Sequence, residues 1–268
     1  QGMKCCDSSP EGTFTSNFAL TLRALKEGMN TVPGTTYLWG NIATYIGYDR
    51  ARRDPLVQEM DGAFYEFFIE GGMDLGTFNA RKTGAEFYAS WNKYSAVHAR
   101  YSYDTAQYRI FALAGYYIVK DDRMYFIFDT DPDYGVKLGN PNHWWYGLMS
   151  VDIGMPSSAA TTVTVGSAQA WKRDFTKGKV FFKPRYSGGS MTISLGGSYY
   201  NLDVNGNPIG GAITSLTLNE NDGAVLIPTI APPQDTTPPT ASISSPFSGS
   251  TVSGTVTVSA TASDNVGV

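Results

Sequence analysis

Short apolar strands that end in polar side chains alternate with helical segments between about residues 15 and 130. Residues 36–41 (TYLWGN) and 61–66 (DGAFYE) are two such strands. Strand, helix and strand in series predict a parallel sheet, and functional side chains collect at the carboxyl ends of such strands. Glu66 is predicted to stand at one of these ends.

Three helix signals separate the predicted strands. Apolar residues at helical spacing between Phe18 and Met29 predict the first helix. Residues 83–86 (TGAE) form a capping box that predicts the start of the second, and Asp104 is predicted to cap a third that runs through Val119.

Further strands are predicted at residues 2–6, 95–103 and 124–129, which gives about five strands with three or four helices between them. This count predicts an α/β fold that forms the C-terminal portion of a (β/α)8 TIM barrel. The remaining barrel strands are expected to precede Gln1.

The sequence pattern changes near residue 147. Helical spacing ends there, and strands alternate with turn clusters to about residue 228, which predicts an antiparallel sheet or an all-β sandwich. We therefore divide the chain into a partial (β/α)8 catalytic barrel, a C-terminal β-sandwich, a Pro-rich linker and a truncated Ig-like module, at residues 1–146, 147–230, 231–240 and 241–268.

Composition excludes several classes of function. The 268 residues carry a net charge of −4 without a basic run, which argues against nucleic acid as a partner. No apolar stretch reaches the roughly 18 residues of a membrane span. The content of 16% charged and 13% aromatic residues suits a secreted, β-rich protein.

Metal and cofactor signatures are missing from the sequence. Cys5 and Cys6 are adjacent and offer neither a disulfide framework nor a CxxC motif. His98 and His143 lack ligand spacing. We therefore predict no metal and no cofactor, and the sequence leaves the oligomeric state open.

The order of several motifs resembles that in secreted glycoside hydrolases with a (β/α)8 barrel and a C-terminal β-sandwich. Asn41 precedes residues 61–66, residues 149–156 (MSVDIGMP) enter the second half, and residues 173–180 (RDFTKGKV) precede Lys183, where this group usually has Asn before the Pro. The resemblance covers roughly residues 1–228. It implies hydrolysis of glycosidic bonds in a polysaccharide or oligosaccharide.

The C-terminal end resembles the start of a bacterial immunoglobulin-like repeat. Residues 235–240 (DTTPPT) and 261–267 (TASDNVG) carry this resemblance. It implies a secreted or cell-surface protein with several modules.

Cleavage of a glycoside requires two carboxyl groups in most families. Glu66 is our candidate for one, although it could instead be a structural acid paired with an arginine. Asp7 is the candidate partner because related barrels often end this strand with an acid, but the register places Cys6 there. The partner could also precede Gln1, or be Asp129.

Seven other side chains at predicted strand ends or in loops are candidates for contact with a sugar. They are Trp39, Asn41, Arg100, Tyr101, Asp129, Trp144 and Trp145. The tryptophans could stack on a sugar ring, although aromatic residues in barrels are more often core. Asn41 could orient Glu66 or satisfy loop amides, and Asp129 could simply cap a turn.

Two functions of different classes remain open from the sequence. The first is an extracellular glycoside hydrolase that uses Glu66 as general acid/base or nucleophile. The second is a non-catalytic carbohydrate-binding or adhesion protein on the same scaffold. A purely structural β-repeat protein conflicts with the helix signals before residue 130.

Overall fold

The computed structural model describes residues 11–31, 34, 37–41, 50–100, 105–129, 146–229 and 240–264. The chain divides into two compact units, Gln1–Thr229 and Ile230–Val268, and each is described by itself. The predicted linker at residues 231–240 lies almost wholly outside the described residues, as does Asp7.

Helices and parallel strands alternate in the first part of unit one. In chain order they are α1 (Glu11–Met29), β1 (Trp39–Asn41), α2 (Arg50–Glu59), β2 (Gly62–Glu70), α3 (Leu75–Ala89), β3 (Tyr94–Arg100), α4 (Ala106–Val119) and β4 (Met124–Asp129). The four strands pair in the order β1-β2-β3-β4, all parallel.

Two of these helices begin at other residues than the sequence predicted. Asp74 caps α3, because its carboxylate accepts from Thr77 N at 2.8 Å. The capping-box residue Thr83 lies inside the helix and donates to the Asn79 carbonyl. Thr105 caps α4 through its side chain.

The predicted TIM barrel is wrong. The described parallel strands form a small four-stranded sheet, and the described chain as a whole is mostly β. A barrel helix belongs to an outer ring with one face towards solvent. By contrast, every residue of α4 from 111 to 119 is buried, because a second sheet covers the side that faces away from the parallel sheet.

This second sheet is antiparallel and follows a short 3₁₀ helix at Gly147–Ser150. Its strands are β5 (Thr161–Val165), β6 (Ala168–Phe175), β7 (Gly178–Lys183), β8 (Met191–Asn201), β9 (Ile213–Leu218) and β10 (Asp222–Pro228). They pair in the order β5-β6-β7-β10-β8-β9.

The antiparallel sheet folds over on itself. The register between β8 and β9 shifts between Ser194 and Tyr199. A second hydrophobic cluster joins Ala170 of β6 and Phe181 of β7 to Ile193 of β8, although β6 and β8 are not sheet neighbours. The sheet is therefore sandwich-like, which confirms the β-rich, sandwich character that the sequence predicted for this region.

α4 lies between the two sheets and contacts both. On one side the ring of Tyr116 stacks on Phe126 of β4, with centroids 5.0 Å apart. On the other side Phe111 lies 4.5 Å from Phe182 of β7. Residues of β2, α4, β7 and β10 therefore share one hydrophobic core.

Gly115 permits this close approach of α4 to both sheets. A Cβ atom at position 115 would lie 2.7 Å from Ile69 Cδ1 of β2 and 3.0 Å from Phe182 Cε2 of β7. Both side chains are fully buried. The helix therefore carries its smallest residue where the two sheets come nearest.

Unit two contains two described strands. They are β11 (Thr240–Ser245) and β12 (Ser259–Ser263), which pair in antiparallel orientation. Every residue in both strands is exposed.

We expect Gly115→Ala to lower the free energy of unfolding by about 1–3 kcal/mol, since overpacking a filled core costs that much. Helix propensity alone predicts the opposite change, because alanine is a better helix former than glycine. A lower free energy of unfolding would therefore come from the packing. The matched control is Gly28→Ala in α1, where nothing lies within 4 Å of the new Cβ. Chemical denaturation measures the free energy of unfolding of both variants. A Gly115→Ala variant as stable as the control variant would contradict this packing.

Candidate functional site

Glu66 lies in the middle of β2, not at its carboxyl end, because the strand continues to Glu70. Tyr65 pairs with Val97 of β3, and the next paired residue, Ile69, faces Ala99. β2 therefore carries extra residues over this stretch, which is a β-bulge. Bulges are over-represented next to active sites, where they re-aim a side chain. The side chain of Glu66 itself lies outside the described part of the structure.

Three charged residues occupy neighbouring positions in the strand register at the carboxyl ends of the parallel strands. Glu70 of β2 is in register with Arg100 of β3, which is in register with Asp129 of β4. The structure thus brings together two predicted site residues, Arg100 and Asp129, by their backbone positions. It adds Glu70, which sequence analysis missed because the apolar run was expected to end earlier.

Glu70 has an arginine partner on α3. Its carboxylate accepts from the Arg81 guanidinium at 2.9 Å, and Arg81 also donates to the Phe68 carbonyl. The Glu70 side chain remains half exposed. The doubly anchored arginine holds this carboxylate at the strand end.

Asn41 is the last residue of β1, is exposed, and is in register with Phe64. Its placement at a strand end agrees with the sequence analysis. Tyr101, Trp144 and Trp145 lie outside the described residues, so their roles stay predictions.

Trp39 belongs to a row of aromatic rings at the amino ends of the strands. Its ring lies over Gly62 of β2, where a Cβ would come within 2.7 Å of it. It stacks on Tyr94 of β3 at 6.2 Å, and Tyr94 stacks on Tyr125 of β4 at 6.3 Å. Because Gly62 has no side chain, the Trp39 ring can extend across β2 and contact Tyr94 of β3.

The aromatic row, defined as Trp39, Tyr94 and Tyr125, lies on the sheet face opposite α4. Strand periodicity places Tyr125 and Phe126 on opposite faces, and Phe126 is the residue that stacks on α4. Trp39 is 39% exposed and Tyr125 is 55% exposed. Tyr37 adds an edge-on contact to Tyr94 at 5.7 Å. A row of accessible rings can contact flat apolar surfaces such as the C–H face of a sugar.

Asp61 ties α1 and β1 to the start of β2. It accepts from Leu38 N at 2.9 Å and forms an ion pair with Lys26. Burial raises the pKa of Asp61, but the hydrogen bonds from Leu38 and Lys26 outweigh it, and the net pKa is lowered. Asp61 is therefore a structural carboxylate.

The described carboxyl groups with shifted pKa values are all shifted downwards. They are Glu59, Asp61, Asp74, Asp152, Asp174 and Glu220. A general acid for glycoside cleavage requires a raised pKa. These six groups therefore do not fit that role.

A serine and a lysine lie close together on the antiparallel sheet. The fully buried Lys183 donates to Ser187 Oγ at 2.7 Å and to the Gln169 and Ser187 carbonyls. Burial lowers the Lys183 pKa. Ser187 donates its own proton to the Pro184 carbonyl at 2.5 Å. The pair therefore closes a turn, and it is unsuited to nucleophilic attack because both side chains are inaccessible.

Among the described residues, no three His, Cys, Asp or Glu side chains cluster as a metal site would require. None of the described helices is both long enough and apolar enough to cross a membrane.

Comparison with known proteins concerns the C-terminal end. Residues 239–268 match the family model of a bacterial Ig domain. This confirms the predicted Ig-like end, and such domains are often extracellular or surface-exposed. A search of curated proteins found no match for the chain.

We expect Asp61→Asn to lower the free energy of unfolding at neutral pH by about 1.5–3 kcal/mol, the usual worth of hydrogen bonds to a charged group. A lowered pKa contributes stability above the unfolded-state value of about 3.9, and this is lost as pH falls through the folded-state value. The difference in free energy of unfolding between wild type and variant should therefore become smaller as the pH falls.

Denaturant titrations between neutral and acid pH measure this gap. Asp122→Asn, at an exposed carboxylate, is the control. If the difference in free energy of unfolding between wild type and Asp61→Asn stays the same at acid pH, the assigned ionic role is refuted.

Proposed function

We propose that the protein acts on carbohydrate outside the cell, and that its reaction is hydrolysis of a glycosidic bond. The observation that carries the proposal is the aromatic row, whose ring spacing of 6.2 and 6.3 Å offers successive contacts to a chain of sugar rings. The Ig-like end supports an extracellular setting.

The bulge in β2 is the observation that favours catalysis. The shift in register lies between Tyr65 and Ile69 and so includes Glu66, whereas the β1–β2 and β3–β4 pairs are uninterrupted. We assign Glu66 as one of the two carboxyl groups. One group protonates the leaving oxygen as the C–O bond breaks, and the other attacks the anomeric carbon or removes a proton from water.

Asp129 is the described residue that best fits the second carboxyl group. It ends β4 at the edge where parallel sheets place their chemistry. Asp7 remains the other candidate, and it lies outside the described residues. Arg100, in register beside Asp129, could bind a hydroxyl group of the substrate.

A non-catalytic carbohydrate-binding protein is the second candidate function. The aromatic row favours it, because a row of rings can contact a sugar chain without help from any carboxyl group. In this function the aromatic row binds the sugar and Glu66 contributes at most a hydrogen bond.

Glu66→Gln separates the two functions. If Glu66 is catalytic, turnover of a polysaccharide panel, measured as released reducing ends, should fall about 10²–10⁴-fold while affinity is kept. Glu86→Gln, at an exposed carboxylate on α3, is the control. Wild-type protein that binds the polysaccharides without releasing sugar would instead support the non-catalytic function. Wild-type protein that neither binds nor hydrolyses them would contradict both functions.

The aromatic row has its own test. We expect Trp39→Ala and Tyr125→Ala each to weaken polysaccharide binding about 3- to 10-fold, since an aromatic contact contributes about 0.5–1.5 kcal/mol. Tyr186→Ala is the control, because Tyr186 is 70% exposed in the turn between β7 and β8, away from the row. Affinity electrophoresis measures all three, and equal retardation of row and control variants would remove the row from the binding site.

A further inference from the structure

A cationic side chain lies beside the aromatic row. Arg123 immediately precedes β4, and its carbonyl accepts from Ser95 N of β3 at 3.0 Å. Its guanidinium carbon, Cζ, lies over the ring of Tyr94, the middle ring of the row, at 5.5 Å from the ring centroid. Because side chains alternate along a strand, Arg123 lies on the same sheet face as Tyr125. The row and the arginine therefore share one surface.

Two hydrogen bonds fix this arginine in place. The Asp121 carboxylate accepts from Arg123 N at 2.8 Å, which orders the turn before β4. The guanidinium donates from Nη1 to the Asn92 carbonyl at 2.7 Å. A guanidinium has five N–H donors, and a contact between its flat face and a ring leaves the donors at its edge available. Arg123 is half-buried, so these remaining donors can contact a ligand on the row.

The charge of Arg123 has no partner of opposite sign in the described part of the chain. None of the ion pairs there includes this arginine. Two acids near the same end of the sheet are already paired, Glu59 with Arg23 and Asp61 with Lys26. Arg123 is therefore available to an anion from outside the protein.

The protein as a whole does not attract anions. Its net charge is −4, and Asp122, next to Arg123 in the chain, is exposed. A net negative charge repels a negatively charged polymer at long range. A preference for such a polymer would therefore have to come from a local contact, and Arg123 is the cation that the row offers.

We propose that the aromatic row binds an acidic polysaccharide, and that Arg123 pairs with an anionic group of the bound sugar. An oxyanion such as a carboxylate or a sulfate ester can accept two parallel hydrogen bonds from a guanidinium. The C–H face of the same sugar chain contacts the rings. The inference rests on the proposed function, because it names the substrate class of the same surface. It requires the row and does not require Glu66.

Two matched pairs of polymers test the charge preference of the full chain. They are polygalacturonate with its methyl ester, and dextran sulfate with dextran. We expect at least one acidic polymer to bind about threefold or more tighter than its neutral form in about 0.1 M salt. The difference should shrink in about 1 M salt, because the Debye length falls from about 10 Å to about 3 Å. Isothermal titration calorimetry measures the affinities.

The outcomes separate this inference from the proposed function. If neither acidic polymer binds tighter than its neutral form, the inference is wrong, and the proposed function stands as long as some polysaccharide binds. The pair in which the acidic form is preferred identifies the anionic group as a carboxylate or a sulfate. A preference that is unchanged in about 1 M salt would contradict an ion pair at the surface.

Variants locate the contact. Arg123→Gln should weaken binding of the preferred acidic polymer about 3- to 10-fold and leave binding of its neutral form unchanged. Arg123→Lys keeps the charge but loses the paired donors, so its affinity should lie between those of wild type and Arg123→Gln. This second variant carries the test if Arg123→Gln does not fold.

Arg185→Gln is the matched control. Arg185 also lies over a tyrosine ring, 4.6 Å from the centroid of Tyr186, but in the turn between β7 and β8. The substitution removes the same charge from the protein and should leave the preference for the acidic polymer intact. An unchanged preference in folded Arg123→Gln protein, or an equal loss in Arg185→Gln, would refute the assignment to Arg123.

Discussion

The burial of α4 between two sheets is the interaction on which the rest of unit one depends. Most surface helices bury one stripe and expose the other. α4 instead presents aromatic side chains to both sides, with Tyr116 towards β4 and Phe111 towards β7. Burying side chains of this kind contributes about 1.5–3 kcal/mol each. The parallel and antiparallel sheets are therefore joined by a common core.

This arrangement also decides which surfaces are left for function. Because α3 and α4 cover one face of the parallel sheet, strand periodicity directs alternate residues such as Tyr94 and Tyr125 to the other face. The aromatic row is thus a consequence of the helix packing, and its accessible rings carry the carbohydrate proposal.

Local features of the fold could be predicted from the sequence, and long-range ones could not. Apolar runs indicated β2, β3 and β4, and a cap signal one residue before the true cap, Thr105, indicated α4. α2 gave no such signal, since its sequence RARRDPLVQE has no apolar stripe and contains Pro55. The prediction of a TIM barrel was wrong, because the closure of a sheet into a barrel depends on strand number and stagger, which periodicity does not encode.

At the candidate site, too, local features could be predicted from the sequence and long-range ones could not. Asn41 and Arg100 could be placed at strand ends from the pattern alone. The position of Glu66 could not, because a bulge in β2 depends on pairing with β3, and the strand runs on to Glu70. The buried role of Lys183 depends on tertiary contacts, which a single sequence does not reveal.

The proposed function depends above all on the binding of sugar to the aromatic row. A crystal structure of the full chain soaked with an oligosaccharide from the polysaccharide that binds best tests it most directly. If the row binds sugar, the electron density will show sugar rings stacked on Trp39 and Tyr94, in the direction of Tyr125. Density that places the sugar elsewhere, or these rings beneath other protein, would contradict it.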